Sequence, residues 1–192
     1  VNQKNFALSQ AKQAWVMSLD ADEFLPWETS ERVVKAISEA PDDVSAFRLP
    51  RKNFFLGKWL RHGGLYPDWH TYVFRREGAQ FKARHRHVHE SIEPPKGMVL
   101  DLDAPVEHYS YDSISRYLDK FNSYTTLEAR GMFENNVRPS YYRLIIKPFK
   151  FWLKSYILKM GFLDGVHGLV YAVLSAFYIF TVQAKLFAMK RG

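Results

Sequence analysis

Apolar residues along this chain fall into short runs and stripes that predict helices alternating with strands. Residues 3–12 suggest a helix that leads into the run Trp15-Val16-Met17-Ser18-Leu19, which reads as a buried strand over 14–19. Thr29 or Ser30 then caps a helix whose Val33, Val34 and Ile37 form one stripe, ended before Pro41. Residues 44–49 read as the next strand. Asn53-Phe54-Phe55-Leu56 and Lys58-Trp59-Leu60 flank Gly57 as the arms of a hairpin. Gly63-Gly64 and Pro67 mark a loop. Residues 72–76, the Gly78 turn and residues 81–89 are expected to form a second strand pair. Asp112 or Ser113 opens a helix with Ile114, Tyr117, Leu118, Phe121 and Tyr124 on one face, running to about Glu134.

Beyond Arg138 the pattern changes. Pro139 stands at a helix start, and Arg143, Lys147, Lys150 and Lys154 follow at spacings of four, three and four among Tyr, Leu, Ile, Phe and Trp. That is a basic stripe on an apolar and aromatic helix, the pattern of an element lying in a membrane interface, with Pro148 as the expected kink. A helix packed on its own domain with a solvated basic face is the plainer alternative. From Val166 to Ala184 no Asp, Glu, Lys or Arg occurs in 19 residues, close to the length of a bilayer span. His167, Gly168, Ser175, Thr181 and Gln183 dilute that run, so a buried or half-inserted helix is expected there, packed on a second copy in a homo-oligomer, with a transmembrane helix as the lesser alternative.

Charge sharpens the division. Residues 1–137 hold 18 Lys and Arg against 19 Asp and Glu, whereas residues 138–192 hold nine against Asp164 alone. So segregated a basic region calls for an anionic partner. Large aliphatic residues opposite the lysines need burial rather than bases to stack on, which argues for an anionic membrane surface and against nucleic acid. A hydrophobic fraction of 47% over 192 residues is enough for a real core, and zero cysteines exclude disulfides and thiolate metal sites. The chain begins with Val1 on residues that read as a core helix, as expected of a piece whose start lies elsewhere.

The chemistry is concentrated at the mouth of the first strand, where Asp20-Ala21-Asp22-Glu23 sets three carboxylates in four residues. On an extended chain Asp20 and Asp22 share a side about 7 Å apart, close enough to hold one divalent cation and the phosphates it carries. Helix or turn capping is the competing explanation.

Together, residues 16–23, the segment Gly64-Leu65-Tyr66-Pro67-Asp68-Trp69-His70-Thr71-Tyr72-Val73-Phe74-Arg75-Arg76 and Val88-His89-Glu90 resemble family 2 glycosyltransferases, most of all the bacterial lipopolysaccharide-core β-glucosyltransferase group. The resemblance implies an α/β fold: the C-terminal portion of a GT-A, Rossmann-like nucleotide-diphospho-sugar transferase domain at 1–111, lacking its nucleotide-binding half, and then amphipathic and apolar helices at 112–192. It implies that Asp20 and Asp22 are an Asp-x-Asp pair for Mg2+ or Mn2+, with Asp22 touching the metal and Asp20 the ribose or a metal-bound water. Glu23 would hold the loop. Inverting transfer also needs a base across the sugar from the metal. Glu90, 70 residues after Asp20 at a strand end, is the first candidate and Asp68 the second. Arg75, Arg76, Arg84 and Arg86 would clamp the diphosphate or an anionic acceptor, with a solvated strand face as the plainer alternative. His89 would add a ligand to the same metal; a separate zinc site at His85, His87 and His89 is a further option.

The expected function is a metal-dependent inverting hexosyltransferase using UDP-glucose on a lipid-linked saccharide, peripheral on the cytoplasmic face of the bacterial inner membrane. A non-catalytic membrane-surface or partner-binding module is the alternative.

Overall fold

The computed structural model describes residues 1–84 and 89–191, without the side chains of residues 83, 84, 89, 90 and 191. Its elements in order are α1 (Asn2–Gln10), β1 (Trp15–Met17), β2 (Glu23–Phe24), α2 (Trp27–Ser38), β3 (Val44–Phe55), β4 (Lys58–Trp59), β5 (Asp68–Arg75), β6 (Gln80–Arg84), β7 (His89–Glu93), β8 (Met98–Asp101) and β9 (Val106–Tyr111), followed by α3 (Ile114–Glu134), α4 (Lys147–Trp152) and α5 (Gly165–Arg191). The chain divides into two compact units, Val1–Lys52 with Pro67–Tyr109, and Asn53–Tyr66 with Ser110–Gly192.

A mixed sheet in the order β1-β5-β3-β9-β2 organises the first unit, with β8 pairing parallel to β3. Its centre is apolar on both faces: Val44, Ala46, Leu49, Val73, Phe74 and Val106 are fully buried. Burial of each larger side chain contributes about 1.5–3 kcal/mol. Leu8 of α1 and Phe81 of β6 pack with Ala46 and Phe74, and Val33 of α2 packs with Val44, Leu49 and Tyr72. α2 starts at Trp27, directly after Pro26, earlier than the expected Thr29 or Ser30 cap. Thr29 lies inside the helix, its hydroxyl donating to Pro105 O at 2.8 Å, and Val34 of the expected stripe is exposed.

The strand pairing around Gly78 differs from expectation. β5 pairs with β1 and β3, while β6 pairs with β7 in a separate two-stranded sheet. Val73 and Phe74 are buried on opposite faces of β5, so this strand needs neighbours on both edges, and Gly78, at φ 80°, turns the chain out of the sheet.

In the second unit β3 and β4 form the expected hairpin, pairing Phe54 with Trp59 and Phe55 with Lys58. Leu56 and Gly57 take φ values of 51° and 79°, the left-handed pair of a two-residue hairpin turn. α3 is capped by Ser113, whose hydroxyl accepts from Arg116 N. Its buried row is Tyr117, Phe121, Thr125, Ala129 and Met132, while Ile114, Leu118 and Tyr124 of the expected face stay exposed. Residues 142–158 do not form one kinked α-helix: π-helical turns at Tyr142–Ile146 and Leu153–Leu158 enclose α4, and Pro148, which has no N–H to donate, sits at the start of α4. α5 is buried along one side only, at Ala172, Val182, Gln183 and Leu186. It is long and apolar enough to cross a membrane by length and composition.

A buried carboxylate ties this unit together. Asp164 accepts from His62 N at 2.8 Å and meets His62 Nδ1 at 3.0 Å, while Lys58 Nζ donates to the Asp164 carbonyl at 2.8 Å. Gly63 N donates to Lys159 O and Ser155 Oγ to Gly63 O, so the hairpin's outgoing strand is bonded to the turn before α5.

Candidate active site

Everything described in this site belongs to the first unit. After β1 the chain does not stay extended through the carboxylates. It turns, with Glu23 N donating to Asp20 O at 3.0 Å and the Glu23 Oε2 carboxylate oxygen accepting from Asp20 N at 2.9 Å. That double closure exists because Glu23 can reach back over its own turn, and it replaces the alternating geometry expected of Asp20 and Asp22. Asp20 is half exposed and paired with Lys4 of α1 at 2.7 Å. Asp22 faces another partner.

That partner comes from β9. The β2–β9 ladder sets Glu23 opposite His108 and Phe24 opposite Glu107, and Tyr109 N donates to Asp22 O at 2.9 Å. Asp22 Oδ2 lies 3.5 Å from His108 Nε2, with side-chain exposures of 41% and 17%. Burial lowers the His108 pKa below its ordinary value, and the nearby Arg51 cation lowers it further against the pull of Asp22 and Glu23. The imidazole is therefore neutral at physiological pH, the state in which histidine ligates metal.

Behind this pair stands a network across β3 and β5. Glu23 Oε1 accepts from Tyr72 Oη at 2.5 Å and lies 3.6 Å from Arg51 Nη1. Burial, then the Glu23 carboxylate, pushes the Tyr72 pKa far up, so the phenol is a fixed donor. Arg51 sits opposite Asp68 in the ladder and donates twice to its Oδ2, at 2.8 and 3.1 Å. The other oxygen of Asp68 meets His70 Nε2 at 3.0 Å. Asp68, His70 and Tyr72 alternate along β5 and so share a face.

The structure thus brings Asp22, Glu23 and Asp68 into one network and adds His108, Arg51, Tyr72 and His70, which sequence reasoning had not selected. No local motif marks His108: it sits 86 residues after Asp22 and becomes visible only through strand register. Arg75 and Arg76 are not in this network. Arg75 donates to Val44 O and Pro41 O and lies over the Trp15 ring, and Arg76 donates to Gln13 O, which makes both of them clamps on chain joints. Arg75 is seven residues along β5 from Asp68, roughly 23 Å at strand spacing.

Glu90 and His89 pair through their backbones with Ala83 and Arg84 in the β6–β7 ladder; their side chains, with that of Arg84 and with His85, Arg86 and His87, lie outside the described residues. Among the described residues no group of three or more His, Cys, Asp and Glu stands ready as a complete metal cage. Asp22 and His108 are therefore two candidate donors, a carboxylate and an imidazole, 3.5 Å apart.

Comparison with known proteins gives this geometry a family. Residues 1–92 match the model of glycosyl transferase family 2. Over 185 residues the chain is 27% identical to the lipopolysaccharide core biosynthesis glycosyltransferase LpsC of Rhizobium meliloti (strain 1021), covering 96% of this chain and 68% of that protein. It is 26% identical over 193 residues to the uncharacterized glycosyltransferase RP128 of Rickettsia prowazekii (strain Madrid E), and 25% identical to RT0209 of Rickettsia typhi (strain ATCC VR-144 / Wilmington), in each case over 97% of this chain and 66% of the relative. The chain therefore spans about two thirds of the length of these relatives. Residues 1–92 thus match a family 2 glycosyltransferase domain, in agreement with the α/β sheet and helices of the structure.

Proposed function

We propose that the chain forms the metal-holding and acceptor-side part of an inverting hexosyltransferase, moving glucose from UDP-glucose to a lipid-linked saccharide in lipopolysaccharide-core assembly at the cytoplasmic face of the inner membrane. The observation that carries this reading is the approach of the Asp22 carboxylate to a neutral His108 at the end of the acidic turn. Similarity to a relative named for lipopolysaccharide core biosynthesis supports the acceptor class.

Asp22 and His108 would hold Mg2+ or Mn2+, with His89 as a third ligand. Such a cation, when bound, offsets the charge gathering on the departing nucleoside diphosphate. Asp20 serves the ribose or a metal-bound water. Glu23 and Tyr72 fix the turn that aims Asp22. As the acceptor oxygen bonds to the anomeric carbon from the far side, the bond to the diphosphate oxygen breaks with its electron pair, and Glu90 takes the acceptor's proton. Asp68, both of whose oxygens are engaged by Arg51 and His70, suits orientation of His70 better than proton abstraction.

The test is transfer of labelled glucose from UDP-glucose to membrane-borne acceptor by the complete enzyme, beside Mn2+ titration. Asp22→Asn and His108→Ala should each lose transfer and weaken Mn2+ binding while keeping the fold. Glu90→Gln should lose transfer and keep donor binding. Near-normal turnover by Asp22→Asn would overturn the reading.

A further inference from the structure

Residues 142–166 present a surface that water alone does not favour. Tyr142, Ile145, Phe149, Leu158, Leu163 and Val166 are each more than half exposed, and exposed apolar surface on this scale marks a contact with something else. A basic row runs beside it in register. Arg143, Lys147, Lys150 and Lys154 each follow directly on an exposed apolar residue, Tyr142, Ile146, Phe149 and Leu153, and all four are themselves exposed. Lys150 Nζ lies 5.5 Å over the Tyr142 ring, joining the two rows. Pro148, within these rows, and Ser155, directly after them, are buried.

Charge selects the occupant. Asp164 is the sole carboxylate of residues 138–192, and its side chain is 5% exposed against His62. A second copy of this chain would bring to the face more cations and no accessible carboxylate from the same region. An anionic bilayer supplies both halves of the complement, phosphates for the lysines and acyl chains for the aromatic and aliphatic row.

Contacts within the unit also decide between lying on a bilayer and crossing it. α5 is pinned along α3: Tyr178 Oη donates to Glu128, and Lys185 Nζ lies within 2.9 Å of Asn122 O and Oδ1 and of the Thr125 and Thr126 hydroxyls, which share its three N–H donors. α3 carries exposed Arg116, Asp119, Lys120, Arg130 and Glu134. Sinking α5 through the hydrocarbon would drag these charges in with it.

We infer that residues 142–166 are a monotopic docking face, seated in the headgroup and acyl boundary of an anionic bilayer, and that α5 does not span. The inference deepens the reading above by naming the partner of the second unit, and it rests on that reading only for the membrane-borne acceptor.

Cosedimentation of the full chain with vesicles of phosphatidylcholine, with and without phosphatidylglycerol, tests it. Binding should require phosphatidylglycerol and should reverse on extraction with alkaline carbonate. The triple variant Lys147→Gln, Lys150→Gln, Lys154→Gln should bind about 100-fold more weakly, roughly fivefold per lysine. Ile145→Asp with Phe149→Asp should abolish binding, and circular dichroism should show both variants folded, since all five side chains are exposed. Equal binding to both vesicles, retention through carbonate, or a concentration-dependent dimer that Phe149→Asp disperses without any vesicle binding would each overturn it. Asp22→Asn separates the two proposals, because it should abolish transfer and leave vesicle binding intact.

Discussion

Replacing Glu23 by glutamine tests whether one buried carboxylate holds the acidic turn. Its side chain is 3% exposed, Oε1 accepts from Tyr72 Oη at 2.5 Å, Oε2 accepts from Asp20 N at 2.9 Å, and Arg51 lies at 3.6 Å. Glutamine keeps the shape. Its single oxygen can satisfy Asp20 N–H only by turning the NH2 toward Tyr72, which reverses that bond and strips the phenol's own proton of its acceptor. Hydrogen bonds to charged groups contribute about 1.5–3 kcal/mol and neutral ones about 0.5–1.5 kcal/mol. Losing the charge from two such bonds should therefore cost about 2 kcal/mol, roughly a 30-fold change in the folding equilibrium. Tyr72→Phe removes one of the same bonds, so the double variant should be less destabilised than the two singles added, with a coupling of about 1–2 kcal/mol. Urea unfolding of the two singles and the double measures this, and Mn2+ titration should show Glu23→Gln binding more weakly as Asp22 loses its anchor. A Glu23→Gln loss below about 0.5 kcal/mol, additive with Tyr72→Phe, would refute the assignment.

Gly168→Ala should destabilise the second unit by about 1–3 kcal/mol or more, because a Cβ there would stand 2.0 Å from Gly161 O; Gly57→Ala, with nothing within 4 Å, should cost only the left-handed backbone penalty of about 1 kcal/mol in the same melting experiment. Asp164→Asn, which replaces one of the two buried carboxylate oxygens that meet His62 by an NH2 donor, should cost about 1–3 kcal/mol and raise hydrogen exchange at residues 58–63 first. His108 gives the pH dependence. Its folded pKa lies below 6.5, so between the two values the unfolded chain binds a proton that the folded chain does not, and stability should fall as pH drops through 6.5. Unfolding of His108→Gln on either side of that pH should show a flatter dependence.

Local physics was legible and register was not. The Gly57 hairpin, the Ser113 cap and the full length of α3 follow from turn chemistry and 3.6-residue spacing, which act within a few residues of each position. Buried strands carry no such marker. β5 is buried on both faces at Val73 and Phe74, so its pattern says that this end is central without saying that β1 and β3 are its neighbours rather than the strand nearest in sequence. The carboxylates were read as extended because the run before them is a strand, yet Glu23 folds back on Asp20 N within the same four residues. Arg75 was legible as a cation; what it binds, the carbonyls of Val44 and Pro41, depends on a joint brought up from some thirty residues earlier.

The candidate site shows how far that gap reaches. Asp22 is in the motif, but its partner is set by how β9 meets β2, and period-two alternation makes this an all-or-none choice. In the observed register His108 lies opposite Glu23 and Tyr109 N donates to Asp22 O at 2.9 Å. A slip of one residue would turn His108 to the other face and offer Asp22 a neighbouring Glu107 or Tyr109 instead, exchanging a neutral ligand for a like charge or a phenol. Under the proposed function, the exchange for Tyr109 would remove the second metal donor without changing a single residue of the acidic motif. The motif therefore specifies the anion, whereas the ladder, held by backbone bonds that any sequence can make, specifies whether that anion has a second ligand beside it.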